Sequence, residues 1–437
     1  MRVSDSPSGS VRRQAHRQAG ARPRIRLVLP GLLVVLAAVL WIGAQPPSLV
    51  SQPAASPPAA DLPAASSGPT ASDGSTVAPE SAAPSPAPTG GVLPSPTLPP
   101  PSNSKTNVYA YAGANMFSPV VANLPPRVYV PDELNGTVTV IDPRTFKILF
   151  RYGVGASPEH VTPDWDLKRL YVEAAFSNRL TVIDPTTGRP IGHHTVPGPY
   201  NLYFTPDGKY AIVVRDAART YGGQDQLYFY DRATWNLVKS VRVPWAGADH
   251  LDFSTDGSYF LISTEYSGWV AKVSVAKMAV VNAVFVGGLP VDVRLAPDGS
   301  RFYVANQGTD GVSIVDPIAM RVIGFIRTGT GAHGLSISRD ARSLYVTNRE
   351  AGTLSVISLR TNRVVATWRI GGTPDMIAVS PDGNQLWISN RYSGSVSVVN
   401  ARTGRVIVVI RVGGHPHGLC YFPEPGRYSI GHNGIYR

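Results

Sequence analysis

Short apolar runs, separated by turn-forming residues, recur through most of the chain. The clearest copy lies between Gly331 and Gly372, where the runs GLSIS, SLYVTN, TLSVIS and RVVATWRI are separated by RDAR, REAG and LRTN. Runs of this length and composition, bounded by turn residues, predict β-strands. The copy is therefore expected to form a four-stranded antiparallel meander, which on its own would leave an apolar face in water.

The copies follow one another at a nearly constant period. The small residues that open their first strands are separated by 41, 49, 42, 42, 42 and 42 positions. These residues are Pro158, Pro199, Ala248, Pro290, Ala332, Pro374 and Pro416. Four strands per unit of this length are typical of β-propeller blades, in which neighbouring units bury each other's faces. Helical repeats are disfavoured because no unit shows a 3.6-residue period.

Strand counting predicts how the ring closes. Second and third strands each occur seven times, starting with RVYV at Arg127, whereas six first strands lie between them and a seventh, HGLCYF from His417, comes last. The sequence therefore predicts an all-β protein, a seven-bladed β-propeller of four-stranded antiparallel blades. The C-terminal strand is expected to close the ring in the first blade, which leaves few free edges.

The repeats also carry a family signature. Residues 345–348 read YVTN, and the tripeptide PDG recurs at 206–208, 297–299 and 381–383. From about Arg127 to Phe422 the chain resembles the YVTN-repeat, YncE-like, seven-bladed β-propellers. The resemblance implies the fold, and it implies no particular function because members of the family do different things.

Three segments of different composition precede the repeats. Residues 1–26 hold seven arginines and one acid, residues 27–44 (LVLPGLLVVLAAVLWIGA) hold no charge, and residues 45–105 are mostly Pro, Ala, Ser, Thr and Gly. Eighteen apolar residues are the lower limit for spanning a hydrocarbon core of about 30 Å. We therefore expect a basic cytoplasmic leader, a transmembrane signal anchor, a disordered tether and, over residues 106–437, the propeller.

A cleaved secretory signal is the alternative to an uncleaved anchor. The apolar run ends in small residues, but Ile42 occupies the position three residues before a cut after Ala44, where a small residue is preferred. The anchor interpretation gives a single-pass protein of the cell membrane, and the alternative gives a secreted one. Both predict that the propeller lies outside the cytoplasm.

Charge and cysteine content exclude some classes of function. The net charge is +11, but seven arginines belong to the leader and no basic run or interleaved basic and aromatic stripe occurs in the repeats. We therefore expect no nucleic-acid partner. Cys420 is the single cysteine, so an internal disulfide and a c-type haem attached through two cysteines are both excluded.

The candidate site lies at one end of the predicted channel. Loops between blades and loops between second and third strands share one face, here called the top, and first strands are innermost. Residues just after each opening position therefore lie near the axis, and four of the nine histidines belong to this ring. The candidate ligand-binding residues are His160, Asn201, His250, Asp292, His333, Asp375 and His417, with Arg349 and Arg391 at the ends of second strands.

Three interpretations of this ring stay open. It could be the polar mouth of a solvated channel, or a binding site for a small molecule, a peptide or a cell-envelope component. It could also hold a divalent metal, as in a metal-dependent lyase or hydrolase, on three or four of His160, His250, His333 and His417 with Asp292 or Asp375. His432, in the tail after the closing strand, could reach the same mouth. The sequence favours a binding module over an enzyme and identifies no cofactor.

Overall fold

The computed structural model describes residues 107–217 and 222–437. The predicted leader, membrane anchor and tether all lie outside the described residues, as do residues 218–221 in the long loop of the third blade. Within the described residues, no helix is long and apolar enough to cross a membrane.

The described residues form seven four-stranded antiparallel sheets, as predicted. Blade 1 contains β28 (Cys420–Phe422), β1 (Arg127–Asp132), β2 (Thr137–Asp142) and β3 (Lys147–Gly153). Blade 2 contains β4 (Pro158–Pro163), β5 (Leu170–Ala174), β6 (Arg179–Asp184) and β7 (Arg189–Thr195). Blade 3 contains β8 (Asn201–Phe204), β9 (Tyr210–Arg215), β10 (Gln226–Asp231) and β11 (Leu237–Arg242). Blade 4 contains β12 (Ala248–Phe253), β13 (Tyr259–Thr264), β14 (Trp269–Ser274) and β15 (Ala279–Phe285).

The remaining blades repeat this order. Blade 5 contains β16 (Pro290–Leu295), β17 (Phe302–Asn306), β18 (Gly311–Asp316) and β19 (Arg321–Arg327). Blade 6 contains β20 (Ala332–Ile337), β21 (Ser343–Asn348), β22 (Thr353–Ser358) and β23 (Arg363–Arg369). Blade 7 contains β24 (Pro374–Val379), β25 (Gln385–Asn390), β26 (Ser395–Asn400) and β27 (Val406–Arg411). Short 3₁₀ turns lie at Ala175–Ser177, Glu265–Ser267, Gln307–Thr309, Arg391–Ser393 and His432–Gly434.

The ring closes as the strand count predicts. Strand β28 pairs with β1, so that Cys420 lies opposite Tyr129 and Phe422 opposite Arg127. Side chains of blades 7 and 1 pack face to face across this junction, including the buried residues Trp387 and Val128. Each fully buried aliphatic or aromatic side chain contributes about 1.5–3 kcal/mol to stability, so the closing strand joins the two ends of the repeat array through both hydrogen bonds and apolar contact.

A β-bulge near the start of the inner strand turns residues towards the axis. In β4 the pairing with β5 shifts between Pro158 and Val161, and β12, β16, β20 and β24 shift at the equivalent position. The extra residues of a bulge are not paired with the neighbouring strand, and their side chains point in a different direction. The bulged residues are the two that follow each opening position, which explains why the predicted ring faces the channel.

The two ends of the described chain cover the bottom of the channel, where the inner strands end. The N-terminal segment 107–126 crosses this face, since the backbone N–H of Val108 donates to the carbonyl of Pro297 (2.8 Å) and that of Asn115 to Pro381 (2.9 Å). The C-terminal tail, here residues 423–437, lies beside it, and Phe117 forms a bridge with Gly426. Between them remains a cavity of about 50 Å³, which is far smaller than the roughly 300–1,000 Å³ of ordinary ligand pockets.

Candidate functional site

Three histidines meet in the axial channel. His160 and His250 come from the bulges of β4 and β12, and His432 comes from the tail. All three side chains are 0% exposed. One ring nitrogen of each histidine lies within 4.8 Å of those of the other two. The ring centroids are 5.3 Å apart for His160 and His250, 4.9 Å for His160 and His432, and 4.4 Å for His250 and His432.

Each ring in this three-histidine cluster is held through its Nδ1 atom by a side-chain oxygen. The Nδ1 atom of His160 lies 3.1 Å from Oδ1 of Asn433, and that of His432 lies 3.1 Å from Oδ1 of Asn201. The Nδ1 atom of His250 lies 2.7 Å from Oδ1 of Asp249. An oxygen acceptor requires an N–H group opposite it, so these contacts favour the tautomer protonated at Nδ1. The Nε2 lone pairs then remain for another partner.

A fourth imidazole lies beside the cluster. His417 is fully buried, its ring centroid is 4.7 Å from that of His160, and its Nδ1 atom lies 2.8 Å from Oε2 of Glu159. Its Nε2 atom lies 3.6 Å from Oδ2 of Asp375. The Glu159 and His417 pair therefore repeats the carboxylate-to-imidazole arrangement of Asp249 and His250 on the other side of His160.

The channel environment separates the pKa values of the histidines. Burial, together with the charge of His250, lowers the pKa of His160 to about 3. Burial and the charges of His250 and His160 also lower the pKa of His432 well below its usual value. Burial also acts to lower the pKa of His250, but the negative charge of the Asp249 carboxylate outweighs burial and raises this pKa. His160 and His432 are therefore neutral at physiological pH, which is the state in which an imidazole binds a metal.

His333 belongs to a different group of residues. Its Nδ1 atom lies 3.1 Å from Oδ1 of Asp375, and its Nε2 atom contacts the guanidinium of Arg349. Arg349 also donates to Asp375 and, over 3.1 Å, to Oε1 of Gln307. Burial alone would raise the pKa of Asp375, but the positive charges of Arg349, His333 and Arg391 hold it well below its usual range. Both ring nitrogens of His333 are thus engaged by ionic partners.

The top mouth lies over this ion-pair group and is formed by two arginines and one exposed ring. Arg391 donates through Nε to Oε2 of Glu133 over 3.0 Å, across the junction of blades 7 and 1. The ring of Tyr392 is 57% exposed, and the guanidinium carbons of Arg349 and Arg391 each lie 5.7 Å from its centroid. The mouth therefore holds two nearly buried guanidinium groups, of Arg349 (7% exposed) and Arg391 (5% exposed), beside an accessible aromatic face.

The structure brings some predicted site residues together and separates others. His160 and His250 join His432, with Asn201 as a hydrogen-bond partner, whereas His333 and His417 lie outside the three-histidine cluster. Arg349, Arg391 and Asp375 form the mouth. The Asp292 carboxylate has a structural role, since it pairs with Arg294 (2.8 Å) and accepts from the backbone N–H groups of Val293 and Leu335.

Sequence reasoning placed Glu159 and Asp249 in the ring near the axis without assigning them a supporting role, and it did not identify Asn433. Asn433 follows His432 in a tail without a repeat counterpart, so the repeat pattern carried no signal for its position. Asp249 and Glu159 did carry a signal, because each directly precedes a histidine in a bulge that turns consecutive residues into the channel. Gly418, in the equivalent bulged position of the closing strand, leaves room for the contact of His160 with Asn433, since a Cβ atom there would lie 2.4 Å from Nδ1 of His160.

Comparison with known proteins agrees with the fold and the repeat. The seven closed blades define the class, a seven-bladed β-propeller. Residues 106–425 match the family model described as YNCE-like beta-propeller. The chain belongs to this family. No curated protein shows significant sequence similarity to the chain.

Solved structures that share this architecture belong to proteins of different kinds. A functionally unknown protein from Desulfotomaculum acetoxidans is 18% identical with a TM-score of 0.59, covering 68% of this chain and 98% of that one. The periplasmic gluconolactonase of Pseudomonas aeruginosa is 20% identical with a TM-score of 0.57, covering 69% and 99%. Kuenenia stuttgartiensis hydrazine synthase is 17% identical with a TM-score of 0.52, covering 60% and 88%. At such identities the likeness shows the fold alone.

Proposed function

We propose that the protein is an extracytoplasmic binding module that takes a small acidic ligand at the top mouth of its channel. The observation that carries the proposal is the convergence of Arg349 and Arg391 on the exposed ring of Tyr392. Guanidinium groups recognise carboxylates and phosphates through paired hydrogen bonds. An exposed aromatic face beside them can cover the apolar part of such a ligand.

Arg391 is the group that an incoming acid would engage. Its present partner, Glu133, has a side chain that is 24% exposed, so solvent and a competing acid have access to this carboxylate. Arg349 is held more firmly, by the fully buried Asp375. A ligand carboxylate would therefore replace Glu133 on Arg391 while Arg349 supplies a fixed positive charge.

Thermal unfolding tests this proposal directly. Succinate, citrate and inorganic phosphate are added to the chelator-treated protein at constant ionic strength, with succinamide as the uncharged probe. At least one of the acids is expected to raise the melting temperature, and succinamide is expected to have no effect. Arg391→Ala should abolish the shift, and Arg402→Ala should retain it, because Arg402 is an exposed arginine of blade 7 in the turn between β26 and β27, at the bottom face. Equal shifts with succinamide, or an unchanged shift in Arg391→Ala, would refute acid binding at the mouth.

The cellular location in this proposal comes from the sequence. An arginine-rich leader followed by eighteen uncharged residues supports a single-pass anchor, with the propeller outside the cytoplasm on a Pro-rich tether. Protease treatment of intact cells should release the propeller, and the mass of the purified protein should include the first 44 residues. A mature protein that starts after Ala44 would instead support the secreted alternative.

A metal-dependent lyase or hydrolase is the second candidate. The three-histidine cluster and the neighbouring Glu159 and His417 pair favour it, because a carboxylate-oriented imidazole beside a metal site can act as a general base. Complete burial of these groups disfavours it, since a substrate needs access to the metal. Turnover of ester or lactone substrates that requires added Zn²⁺ would support this candidate over a binding module.

A further inference from the structure

We propose that His160, His250 and His432 bind one zinc-type transition-metal ion in the axial channel, and that this ion fastens the C-terminal tail to blades 2 and 4. The site is independent of the acidic ligand proposed for the mouth. It also differs from the metal set expected from the sequence, which contained His333 and His417 and lacked His432.

The geometry of the donors supports a bound ion. One ring nitrogen of each histidine lies within 4.8 Å of those of the other two in a buried region, and the Nε2 atoms of His160 and His250 have no hydrogen-bond partner among the described residues. His432 Nε2 has only a long contact of 3.5 Å with the amide of Asn433. Buried polar nitrogens without partners are costly. In tetrahedral zinc with Zn–N bonds of about 2.0–2.1 Å, the nitrogens lie about 3.3 Å apart, so the rings of this cluster, whose nitrogens lie within 4.8 Å of one another, would move together by up to about 1.5 Å when the ion binds.

The groups behind the three rings have the form expected around a metal. Metal-bound histidines usually donate their other N–H group to a carboxylate or an amide oxygen, which fixes the ring and raises its basicity. Asp249, Asn201 and Asn433 occupy these positions here. Each of the three rings thus has a side-chain oxygen beside its Nδ1 atom, which leaves its Nε2 atom for a metal.

The donor set selects the class of ion. Neutral imidazoles suit Zn²⁺, Cu²⁺, Ni²⁺ and Co²⁺, whereas Mg²⁺ and Ca²⁺ prefer oxygen ligands. The single cysteine is buried in β28, so thiolate ligation does not contribute. The carboxylates of Asp249 and Glu159 contact His250 and His417 and supply negative charge close to the cluster, which favours a buried divalent cation over an empty site.

The position of the ligands along the chain gives the ion a mechanical role. His160 and His250 belong to inner strands of different blades, and His432 belongs to the tail that covers the bottom of the channel. An ion shared by these three residues would cross-link segments separated by up to 272 positions in the sequence. Binding that requires the folded arrangement stabilises it by mass action. We therefore expect metal to raise the melting temperature and to protect the tail from proteolysis.

Metal content and affinity measured on the full chain test the proposal. Protein stripped with EDTA and dialysed is titrated with Zn²⁺, with Mg²⁺ as the negative probe, and the bound metal is quantified by elemental analysis. One Zn²⁺ per chain and no Mg²⁺ are expected. His160→Ala, His250→Ala and His432→Gln should each weaken Zn²⁺ binding at least 100-fold. Co²⁺ should give the intense visible absorption of tetrahedral coordination in the wild-type chain and in none of these three variants.

Two controls keep the outcome interpretable. His333→Ala removes another buried histidine of the same channel and should retain one Zn²⁺ with unchanged affinity. Circular dichroism of each variant establishes that the sheets are intact, and His432→Gln in the tail leaves every blade unaltered. Failure of wild-type protein to bind one Zn²⁺, or retention of full affinity in His432→Gln, would overturn the proposal. Neither result bears on the acid-dependent melting shift, because that shift is measured without metal and depends on Arg391.

Discussion

The Nδ1 atom of His432 lies 3.1 Å from Oδ1 of Asn201, so the tail is joined to the first residue of β8 inside the channel. Asn201 also donates to the backbone carbonyl of Asp249 over 3.3 Å. One amide thus fixes the ring of His432 and contacts the bulge that presents His250. Asn201 is a positioning residue for the proposed metal site, because it acts through the histidines.

Asn201→Ala is expected to weaken Zn²⁺ binding by about 10- to 100-fold, the usual effect of removing a group that orients a metal ligand. Asn201→Asp keeps an oxygen acceptor for the Nδ1–H group and should recover most of the affinity. Chelator competition measures both values, and the Co²⁺ spectrum reports the coordination geometry. Equal losses in the two variants would indicate a packing role for Asn201 instead.

Glu173 predicts an unusual dependence of stability on pH. It occupies the position in blade 2 at which Ser263 and Thr347 bind the bulged backbone of blades 4 and 6. Its carboxylate is fully buried without a hydrogen-bond partner among the described residues, and burial raises its pKa to about 8. The folded protein therefore binds this proton more tightly than the unfolded chain does, so stability is present at low pH and falls as pH rises from about 4.5 to 8.

Glu173→Gln should remove the loss of stability that accompanies rising pH, which amounts to roughly 3–5 kcal/mol between pH 5 and pH 8. The variant is expected to be more stable than the wild-type chain at pH 8, and the difference should shrink at pH 5. Urea unfolding at several pH values measures the free energy of unfolding. Glu350 is exposed, so Glu350→Gln is the matched control and should leave the pH dependence of the free energy of unfolding unchanged. Parallel curves for the wild-type chain and Glu173→Gln would contradict the assignment.

Glu133→Gln tests whether Glu133 competes with the ligand at the mouth. Loss of its negative charge releases Arg391 from the competing carboxylate, so the affinity for an acidic probe should rise by about two- to fivefold or more. The effect should diminish with added salt because the pair is partly exposed. Titration with the acid that gives the largest melting shift measures this affinity and its dependence on salt. A weaker affinity in Glu133→Gln would mean that Glu133 takes part in the site.

The ion pair of Arg339 and Glu424 predicts how firmly the tail is attached. These nearly buried groups lie 2.8 Å apart, and burial, opposed by Arg339, raises the pKa of Glu424 to about 7. Arg339→Met leaves Glu424 unpaired and should cost about 3–5 kcal/mol at pH 8. The cost should be smaller at pH 5, where Glu424 can take up a proton. Addition of Glu424→Gln should restore most of the stability, and a double variant as unstable as the single one would argue against the pair.

The repeat made the fold predictable, and the same regularity hid part of the site. Spacing of about 42 residues and the late strand at His417 determined the number of blades and their closure, because each blade needs the next to bury its apolar face. The bulged pairs were predictable as a ring since they recur at one register position. His432 and Asn433 follow the last repeat, and their place in the channel depends on how the tail folds back across the bottom face. No local pattern encodes that path.

Sequence reasoning also could not predict that His333 lies outside the three-histidine cluster. Seven equivalent ring positions provide equal access to the axis, so nothing in the repeat pattern favours His160 over His333 as a ligand. Side-chain contacts decide it, because Arg349 at the end of β21 in the same blade and Asp375 of β24 in blade 7 engage both nitrogens of His333. Such pairings depend on side-chain rotamers across two blades, which strand patterns do not specify.

Anomalous diffraction at the zinc absorption edge, from crystals of the full chain grown with one equivalent of Zn²⁺, tests the central claim most directly. The account predicts a single strong peak about 2.0–2.1 Å from an imidazole nitrogen of each of His160, His250 and His432. A channel without a peak, or a peak bound by His333 and His417 without His432, would contradict it.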